Sequence, residues 1–399
     1  MPLSTEWPEH LDVAALEAGG WRPTPFQQFV VKVHSRCNLA CDYCYIYELG
    51  DSTWRSKPTV MAPEIIDRTC ARIGEHARAH GLGAVRVVLH GGEPLLAGAA
   101  TLARTATALR AALPPATTLA LSVQTNGVLL TDALLDTLAT HGYTVGLSLD
   151  GDQEAHDRHR RYANGRGSHR AVVAALDLLA ARPGMFAGLL CTVDLENAPV
   201  ATYEALLAFR PPAMDLLLPH GTWSSPPPRR PADGSAPYAD WLIAVFDRWY
   251  DAPRWETDIR LFDEIIRLVC GRPSRTEVVG LSPSGVVVVD TDGAVEQVDT
   301  LKAAYHGAPD TGLSVFDHPF DAALRHPAMV ARQIGLAALS PTCMRCPVRD
   351  VCGGGCYPHR YRAGSGFRNP SVYCADMRRL IDHITGRLRA DLRALTRLP

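Results

Sequence analysis

Cys37, Cys41 and Cys44 fall within eight residues, separated by three and then two others. This spacing lets one loop wrap a single metal centre. A 4Fe–4S cube needs a ligand for each iron, so three thiolates leave one iron open to bind and activate something. A mononuclear zinc loop would close its shell with a fourth ligand, and a structural zinc loop is the bland alternative on spacing alone. A second group, Cys343, Cys346, Cys352, Cys356 and Cys374, lies near the C-terminus. The 11 cysteines are odd in number and clustered, unlike a secreted disulfide framework. In a reducing compartment such clusters read as metal ligands. Cys70, Cys191 and Cys270 stand alone in apolar stretches, where cysteine behaves as a small hydrophobe.

The elements that must position these loops alternate along the chain. Apolar runs at Phe29–Val33, Ala84–His90, Thr118–Val123, Tyr143–Leu149, Met185–Val193 and Met214–Leu218 read as strands. Helical spacing occupies Pro63–Ala79, Thr101–Leu113, Thr131–Thr140, Arg170–Ala181 and Val200–Phe209 between them, with Thr131 or Asp132 available as a cap. Alternation of this kind predicts a parallel sheet with helical crossovers. The polar signatures stand at strand C-terminal ends, where α/β barrels carry their chemistry. A proline-rich break from Gly221 to Pro237 follows the sixth strand, so an open partial (β/α)6 TIM-like barrel fits better than a closed eight-fold one. Helices are expected at Asp240–Trp249 and Ile259–Cys270, a hairpin with an Asp-Gly turn over Val286–Val298, and a basic, solvated helix over Ala375–Leu395. The first 25 residues read as an arm with a short helix at Leu11–Ala18.

At 399 residues and net charge −2, the chain has room for two or three domains, and no basic block points to nucleic acid. Its apolar runs are too short to span a bilayer and the N-terminus lacks a signal-peptide core, which predicts a cytoplasmic protein with no membrane partner. Only 36 residues precede Cys37, too few for a separate folded leader-binding domain.

The first loop, with Tyr43 just before Cys44, resembles the radical S-adenosylmethionine (SAM) enzymes. In that family the open iron binds the SAM amino and carboxylate groups, and electron transfer yields a 5′-deoxyadenosyl radical. The resemblance implies adenine packing for Tyr43 and a SAM-amino contact for Gly91-Gly92-Glu93-Pro94. It implies a polar pocket wall for Asn126, ribose contact for Ser148, and carboxylate contact for Arg160, with Arg158 and Arg161 as competitors. Asp150 faces either ribose or substrate. The second group resembles the C-terminal auxiliary-cluster module called SPASM, which implies one four-ligand 4Fe–4S cluster on Cys343, Cys346, Cys352 and Cys374. A second auxiliary cluster lacks its upstream cysteines, since Val298 and Asp299 stand where one is expected. It would need oxygen ligands such as Glu296 or Asp299, and Cys356 is left as an orphan thiol.

Finer features resemble the Fxs-type peptide maturases that form three-residue cyclophanes. They are Cys44-Tyr45-Ile46-Tyr47-Glu48 with Trp54-Arg55, the run Glu296–Lys302, and His359-Arg360-Tyr361-Arg362 leading to Asn369–Cys374. This resemblance implies a ribosomally made precursor peptide as substrate and a flavodoxin or ferredoxin as electron donor. Hydrogen abstraction at a β-carbon is followed by bonding of that carbon to an aromatic ring two residues earlier. Asp150, Glu296 and His359 are the candidates for the proton acceptor. A sulfatase-maturing enzyme, which normally has two auxiliary clusters, and a thioether-forming maturase share the architecture. A non-catalytic zinc-binding adaptor is the alternative of another class. The domain organisation expected is an arm (1–25), a radical SAM partial barrel (26–235), bridging helices and hairpin (236–335), and an auxiliary-cluster module with the C-terminal helix (336–399).

Overall fold

The structure, a computed structural model, describes residues 6–230 and 233–395. It divides into two compact units, one of Asp12–Cys191 with Ser284–Val330, the other of Met1–Leu11, Thr192–Pro283 and Ala331–Pro399.

In the first unit, β1 (Gln28–His34), β2 (Ala84–Gly91), β3 (Thr118–Thr125), β4 (Tyr143–Ser148) and β5 (Phe186–Thr192) lie side by side in chain order. Each runs parallel to the next. Crossover helices Pro63–Ala79, Gly98–Ala112, Asp132–Thr140 and His169–Ala180 connect them. The helices bury one stripe, including Ile66, Ile73, Leu102, Leu109, Leu135 and Leu176, and the strands bury Phe29, Val31, Val33, Val87, Leu89, Val123 and Val145. Each such side chain stabilises the fold by about 1.5–3 kcal/mol relative to exposure. Thr131 is the cap of Asp132–Thr140, its Oγ1 accepting from Leu134 N at 3.3 Å. A further short helix, Gln153–His159, starts on the Asp152 carboxylate, which accepts from Ala155 N at 3.0 Å. Because β1 to β4 all point the same way, the loops leaving their C-terminal ends gather on one edge of the sheet.

The expected hairpin is present as β8 (Val286–Val289) and β9 (Ala294–Glu296), turning at Gly293 with φ +86°. It does not stand apart as a bridging element. β8 pairs in parallel with β1, from Gln28 opposite Val286 to Val31 opposite Val289, and β10 (Asp310–Ser314) closes antiparallel on β9. The four consecutive valines of β8, three of them buried, suit a strand covered on both faces.

In the second unit, β6 (Ala213–Leu217) pairs in parallel with the two-residue β7 (Asp258–Ile259). The long helix Cys374–Leu395 packs on Pro237–Tyr250 and Arg260–Val269, burying Leu380, Ile381, Ile384, Phe246 and Phe262. Its arginines form the expected solvated face, with Arg378 facing Asp382 at 3.6 Å and Arg387 bonded to Asp247 and Asp251 at 2.7 and 2.5 Å. Residues 231 and 232 of the proline-rich stretch lie outside the described residues. Before them, Trp223 Nε1 donates to Pro370 O at 2.7 Å, and its ring lies under the guanidinium groups of Arg230 and Arg362 at 4.4 and 4.7 Å. Residues 1–5 of the expected arm and 396–399 at the C-terminus also lie outside the described residues. Trp7 bridges to Gly366, whose added Cβ would lie 2.0 Å from Trp7 O. No helix among the described residues is long and apolar enough to cross a membrane.

Candidate active site

The cysteine loop leaves the end of β1 in a series of tight turns. Cys44 N donates to Cys41 O at 3.2 Å, and the N–H groups of Tyr47 and Glu48 both donate to Cys44 O. The turns hold the three thiols half-buried and near enough that Cys41 feels the charge of both others. Burial pushes Cys37 up to about 11 and Cys41 up to about 12, and raises Cys44 as well. Left alone these groups stay protonated at neutral pH, whereas cationic iron converts them to thiolates. Leu39 N and Asn126 Nδ2 point at Cys37 Sγ from 3.4 and 3.6 Å. Donors to sulfur are what a cluster thiolate requires. The three residues therefore fit a cluster with one corner open.

Gly91 and Gly92 bring the end of β2 against the chain that leads into this loop. A Cβ on Gly91 would lie 2.1 Å from His34 O, and one on Gly92 would lie 1.9 Å from Tyr47 Oη and 2.5 Å from Arg36 O. Gly91 also holds φ +148°, which favours glycine. Glu93 is fully buried. Its Oε1 accepts from Leu95 N and Thr125 Oγ1 at 3.0 and 2.7 Å, and its Oε2 from Asn126 N at 2.8 Å. The carboxylate thus ties β2 to β3, and each oxygen retains acceptor capacity. Burial pushes its pKa up. Pro94, also buried, opens the turn Pro94–Ala97. Asn126 links to the cysteine loop through Asn38 Oδ1 at 2.8 Å. Ser148 Oγ accepts from Gln124 Nε2 at 3.3 Å.

Tyr43, Asp150 and Arg160 come from three separate loops and meet. Tyr43 Oη donates to Asp150 Oδ2, and Arg160 Nε donates to the same oxygen at 2.9 Å. The Arg160 guanidinium also lies over the Tyr43 ring at 5.6 Å. Burial opposes the charge on Arg160, but Asp150 outweighs it and keeps the guanidinium strongly basic. Of the competing arginines, Arg158 faces Glu154 at 3.7 Å and Arg161 Nε donates to Asp157 O at 2.5 Å. His156 accepts from Asp150 N at Nδ1, 3.3 Å away, and its Nε2 is 2.9 Å from Ser168 Oγ.

Glu296 sits in a buried lattice of opposite charges. Lys32 and Lys302 lie 3.6 and 4.0 Å from its Oε2, and Lys57 lies 3.4 Å from its Oε1. Lys32 also pairs with Asp290, and Lys302 with Asp51 at 2.8 Å. Burial raises the Glu296 carboxyl above its ordinary range. Next to this lattice, Asp299 accepts from Tyr45 Oη at 3.0 Å and lies 3.4 Å from His90 Nδ1. Burial works against its charge, but His90, Lys32 and the Tyr45 hydroxyl hold its pKa low. Tyr45 and His90 were not among the expected site residues. A signal existed, since Tyr45 follows Cys44, His90 precedes Gly91, and Lys32 interrupts an otherwise apolar strand.

In the second unit, His359 is buried, its Nε2 3.2 Å from His220 Nδ1 and its ring 5.0 Å from that of Tyr373. Burial and the neighbouring His220 and Arg360 push its pKa well down. Cys343, Cys346, Cys352 and Cys374 line one cavity of about 310 Å³. Cys343 N is capped by Ser340 Oγ at 3.2 Å, and Cys346 N donates to Cys343 O at 3.1 Å. Gly353, at φ +61°, is required where a Cβ would lie 1.7 Å from Gly280 O. Arg360 Nη2 donates to Gly353 O and Gly355 O, both at 2.6 Å, which holds the chain beyond Cys352. Four convergent cysteines fit one closed cluster. Cys356 does not line this cavity, and the charged groups that act on it most are Glu277, Arg360 and Arg332. Arg332 is paired with Glu277, while Glu296 and Asp299 are engaged in the other unit.

One further trio has metal-ligand composition. His76 Nδ1 and His80 Nε2 lie 2.7 and 3.0 Å from Asp321 Oδ1. Phe26 N, however, donates to His76 Nε2 at 3.1 Å. That nitrogen must carry the lone pair, so the proton of a neutral ring lies on Nδ1 and is given to Asp321. The trio is a hydrogen-bonded tie between the C-terminal end of helix Pro63–Ala79 and the short helix Phe320–Leu324.

A parallel sheet carrying a three-cysteine loop at its C-terminal edge, with a cysteine-rich C-terminal part, is the radical SAM α/β fold. Residues 31–188 match the family model described as the Radical SAM superfamily. SAM and 4Fe–4S clusters are the cofactors of this family. The serine-type anaerobic sulfatase-maturating enzyme of Klebsiella aerogenes is 28% identical over 354 residues, 86% of this chain and 82% of that one. The solved structure of native anSMEcpe with bound AdoMet superposes with a TM-score of 0.79 at 21% identity, covering 92% of this chain and 99% of that chain. Streptococcus suis SuiB bound to the precursor peptide SuiA shares the fold at a TM-score of 0.59 and 14% identity, covering 90% of this chain and 78% of that chain.

Proposed function

We propose that this protein is a radical SAM enzyme that oxidises one side chain of a peptide or protein substrate by hydrogen abstraction at a β-carbon. The observation that carries this reading is the pairing of an open three-thiol loop with a closed four-thiol cavity in one chain. With its cofactors bound, the first site supplies a one-electron route to hydrogen-atom abstraction. The chain's own residues do the rest. Cys37, Cys41 and Cys44 hold the metal centre, with Leu39 N and Asn126 donating to sulfur. Glu93 retains acceptor capacity for an ammonium, and Arg160, with Asp150 and Tyr43, offers a planar cation for a carboxylate. After abstraction the substrate must give up one further electron and one proton. We assign the proton to Asp299, whose pKa His90, Lys32 and the Tyr45 hydroxyl hold low, in place of the expected Asp150, Glu296 or His359. The four-cysteine centre is the group suited to take the electron.

Maturation of a sulfatase, by oxidising a serine or cysteine to formylglycine, is the reading favoured by relatives matched over most of their length. Cyclophane crosslinking of a precursor peptide is a second reading, favoured by one specific observation. Cys356 does not line the four-cysteine cavity, and the charged groups acting on it most are Glu277, Arg360 and Arg332, where sulfatase-maturing enzymes normally carry a second cluster. Serine oxidation and carbon–carbon crosslinking both remove two hydrogens, so mass alone does not separate them. Anaerobically reconstituted protein is given a serine- or cysteine-type sulfatase peptide and, separately, an aromatic-x-x precursor peptide. A product trapped by a hydrazide probe identifies the aldehyde. Loss of two hydrogens with no hydrazide adduct and no backbone fragmentation across three residues identifies the crosslink. If 5′-deoxyadenosine forms and neither peptide changes, both substrate assignments are wrong. If none forms under strong reductant, the radical SAM reading itself is wrong.

A further inference from the structure

His90 holds a ring nitrogen beside a carboxylate without being bonded to it. On β2, Val87 and Leu89 are buried on one face, and His90 shares the other with Arg86 and Val88. Its register neighbour on β1 is Lys32, which Asp290 and Glu296 fix at 3.4 and 3.6 Å. His90 Nδ1 lies 3.4 Å from Asp299 Oδ2 without the alignment of a hydrogen bond. Tyr45 Oη donates to that same oxygen at 3.0 Å. Tyr45 follows Cys44 and His90 precedes Gly91, so this junction adjoins the three-cysteine loop. Burial, and then Lys32, push the imidazole pKa down against the pull of Asp299. His90 is therefore neutral at rest beside an ionised carboxylate. The His90 side chain is 23% exposed and that of Asp299 12%, so the imidazole is the more open of the two to water.

We propose that His90 is a positioning residue that acts through Asp299, drawing off the proton that Asp299 receives from the substrate. The proposal rests on the functional reading above and deepens it by giving that proton a way out. The bond that breaks is the O–H or S–H of a radical-bearing serine or cysteine, or the ring C–H of a crosslinked adduct. Its proton passes to Asp299 Oδ2 and on to His90 Nδ1. One electron leaves the substrate radical for the oxidised four-cysteine iron–sulfur centre, and the substrate closes as a C=O or C=S bond or an aromatic ring. Asp299 returns to its ionised state. An imidazolium–carboxylate pair then replaces two groups that shared no hydrogen bond, and hydrogen bonds between charged groups are the strong ones. Imidazole is also the better holder of a proton, with an ordinary pKa of about 6.5 against about 3.9 for an aspartate. Lys32 keeps the ring neutral, and so ready, between turnovers. The competing role for this contact is a structural ion pair that ties β2 to the turn Asp299–Ala303.

The test uses the full-length, anaerobically reconstituted protein with SAM and reductant. Its probes are a serine-type sulfatase peptide and an aromatic-x-x precursor peptide, each deuterated at the reacting β-carbon. Deuterium found in 5′-deoxyadenosine counts abstraction, and product per deuterated 5′-deoxyadenosine measures completion. His90→Gln keeps the deuterium count and lowers completion about tenfold, less than the roughly hundredfold cost of removing a direct proton acceptor. The charged and titratable groups acting on His90 are Asp299 and Lys32, and those acting on Asp299 are His90, Lys32, Tyr45 and Lys302. Among these side-chain types only imidazole ordinarily changes charge near neutrality. Below its pKa the ring already carries a proton, so wild-type completion is full above about pH 6.5 and is lost as pH falls through the lowered pKa of His90. The His90→Gln profile is flat over the same range. Should His90→Gln fail to fold, as read from Tm and iron content, the wild-type profile carries the test. The proposal is overturned if His90→Gln completes as wild type, if it lowers the deuterium count as much as completion, or if wild-type completion ignores pH. Absence of deuterium transfer from both peptides refutes the functional reading and the relay with it, whereas transfer with completion that does not depend on His90 refutes the relay alone.

Discussion

The two thiol sites of this molecule solve opposite problems. The first places three half-buried cysteines on one loop at a strand end, with amide donors on one sulfur and an Asp150–Arg160–Tyr43 junction from three loops in the same unit. The second draws four cysteines from two short helices, the segment between them and the start of the long helix Cys374–Leu395 into one cavity held by glycines and Arg360. The first offers three thiols among polar groups that can still accept or donate. The second offers four thiols and few polar partners. Whether a metal centre is left open or closed is set by ligand count and by what stands around it.

The largest effect that could break this contrast is Cys37→Ala. It should remove the iron of the first site and lower 5′-deoxyadenosine release by about a thousandfold or more, whereas Cys352→Ala should retain that release and lose peptide product; iron analysis with chromatography separates them. Arg160→Ala should weaken SAM binding about tenfold to a hundredfold, the value of a lost charge-assisted hydrogen bond, and Arg160→Lys should not restore it, as calorimetry would show. His156, buried and pushed down to about 4, makes the first unit acid-sensitive. Its folded pKa lies below the ordinary value of about 6.5, so protons favour the unfolded chain. Stability should be full above pH 6.5 and fall by up to about 3 kcal/mol as pH drops through 4, and His156→Gln should flatten that slope in denaturant titrations. Gly92→Ala should cost about 1–3 kcal/mol by driving a methyl into Tyr47 and Arg36, read as a lowered Tm. Smallest of all, Cys356→Ser should leave the iron content unchanged. A loss of four irons there would erase the distinction between that thiol and the four in the cavity.

Much of this arrangement was legible beforehand. Phe29–Val33 and Ala84–His90 announce strands by their apolar runs, and the cysteine spacing announces both thiol groups. Contacts across loops were not legible. Nothing local says that Tyr43 and Arg160 share one oxygen of Asp150, because that depends on strand order. The same holds for β8, whose valines reveal a buried strand but not that its neighbour is β1. Lys32 was the missed clue: a lone lysine in an apolar strand must find carboxylates when buried, and Asp290 and Glu296 provide them.

The attachment of β8 along β1 has a practical corollary. Chain beyond residue 283 shields the flank of the strand from which the cysteine loop departs. A fragment cut before Ser284 would therefore expose a row of unpaired amides and carbonyls beside the three-cysteine turn, inviting self-association. Attempts to express the part that carries the three-cysteine loop by itself should yield aggregates unless the later hairpin is grafted back.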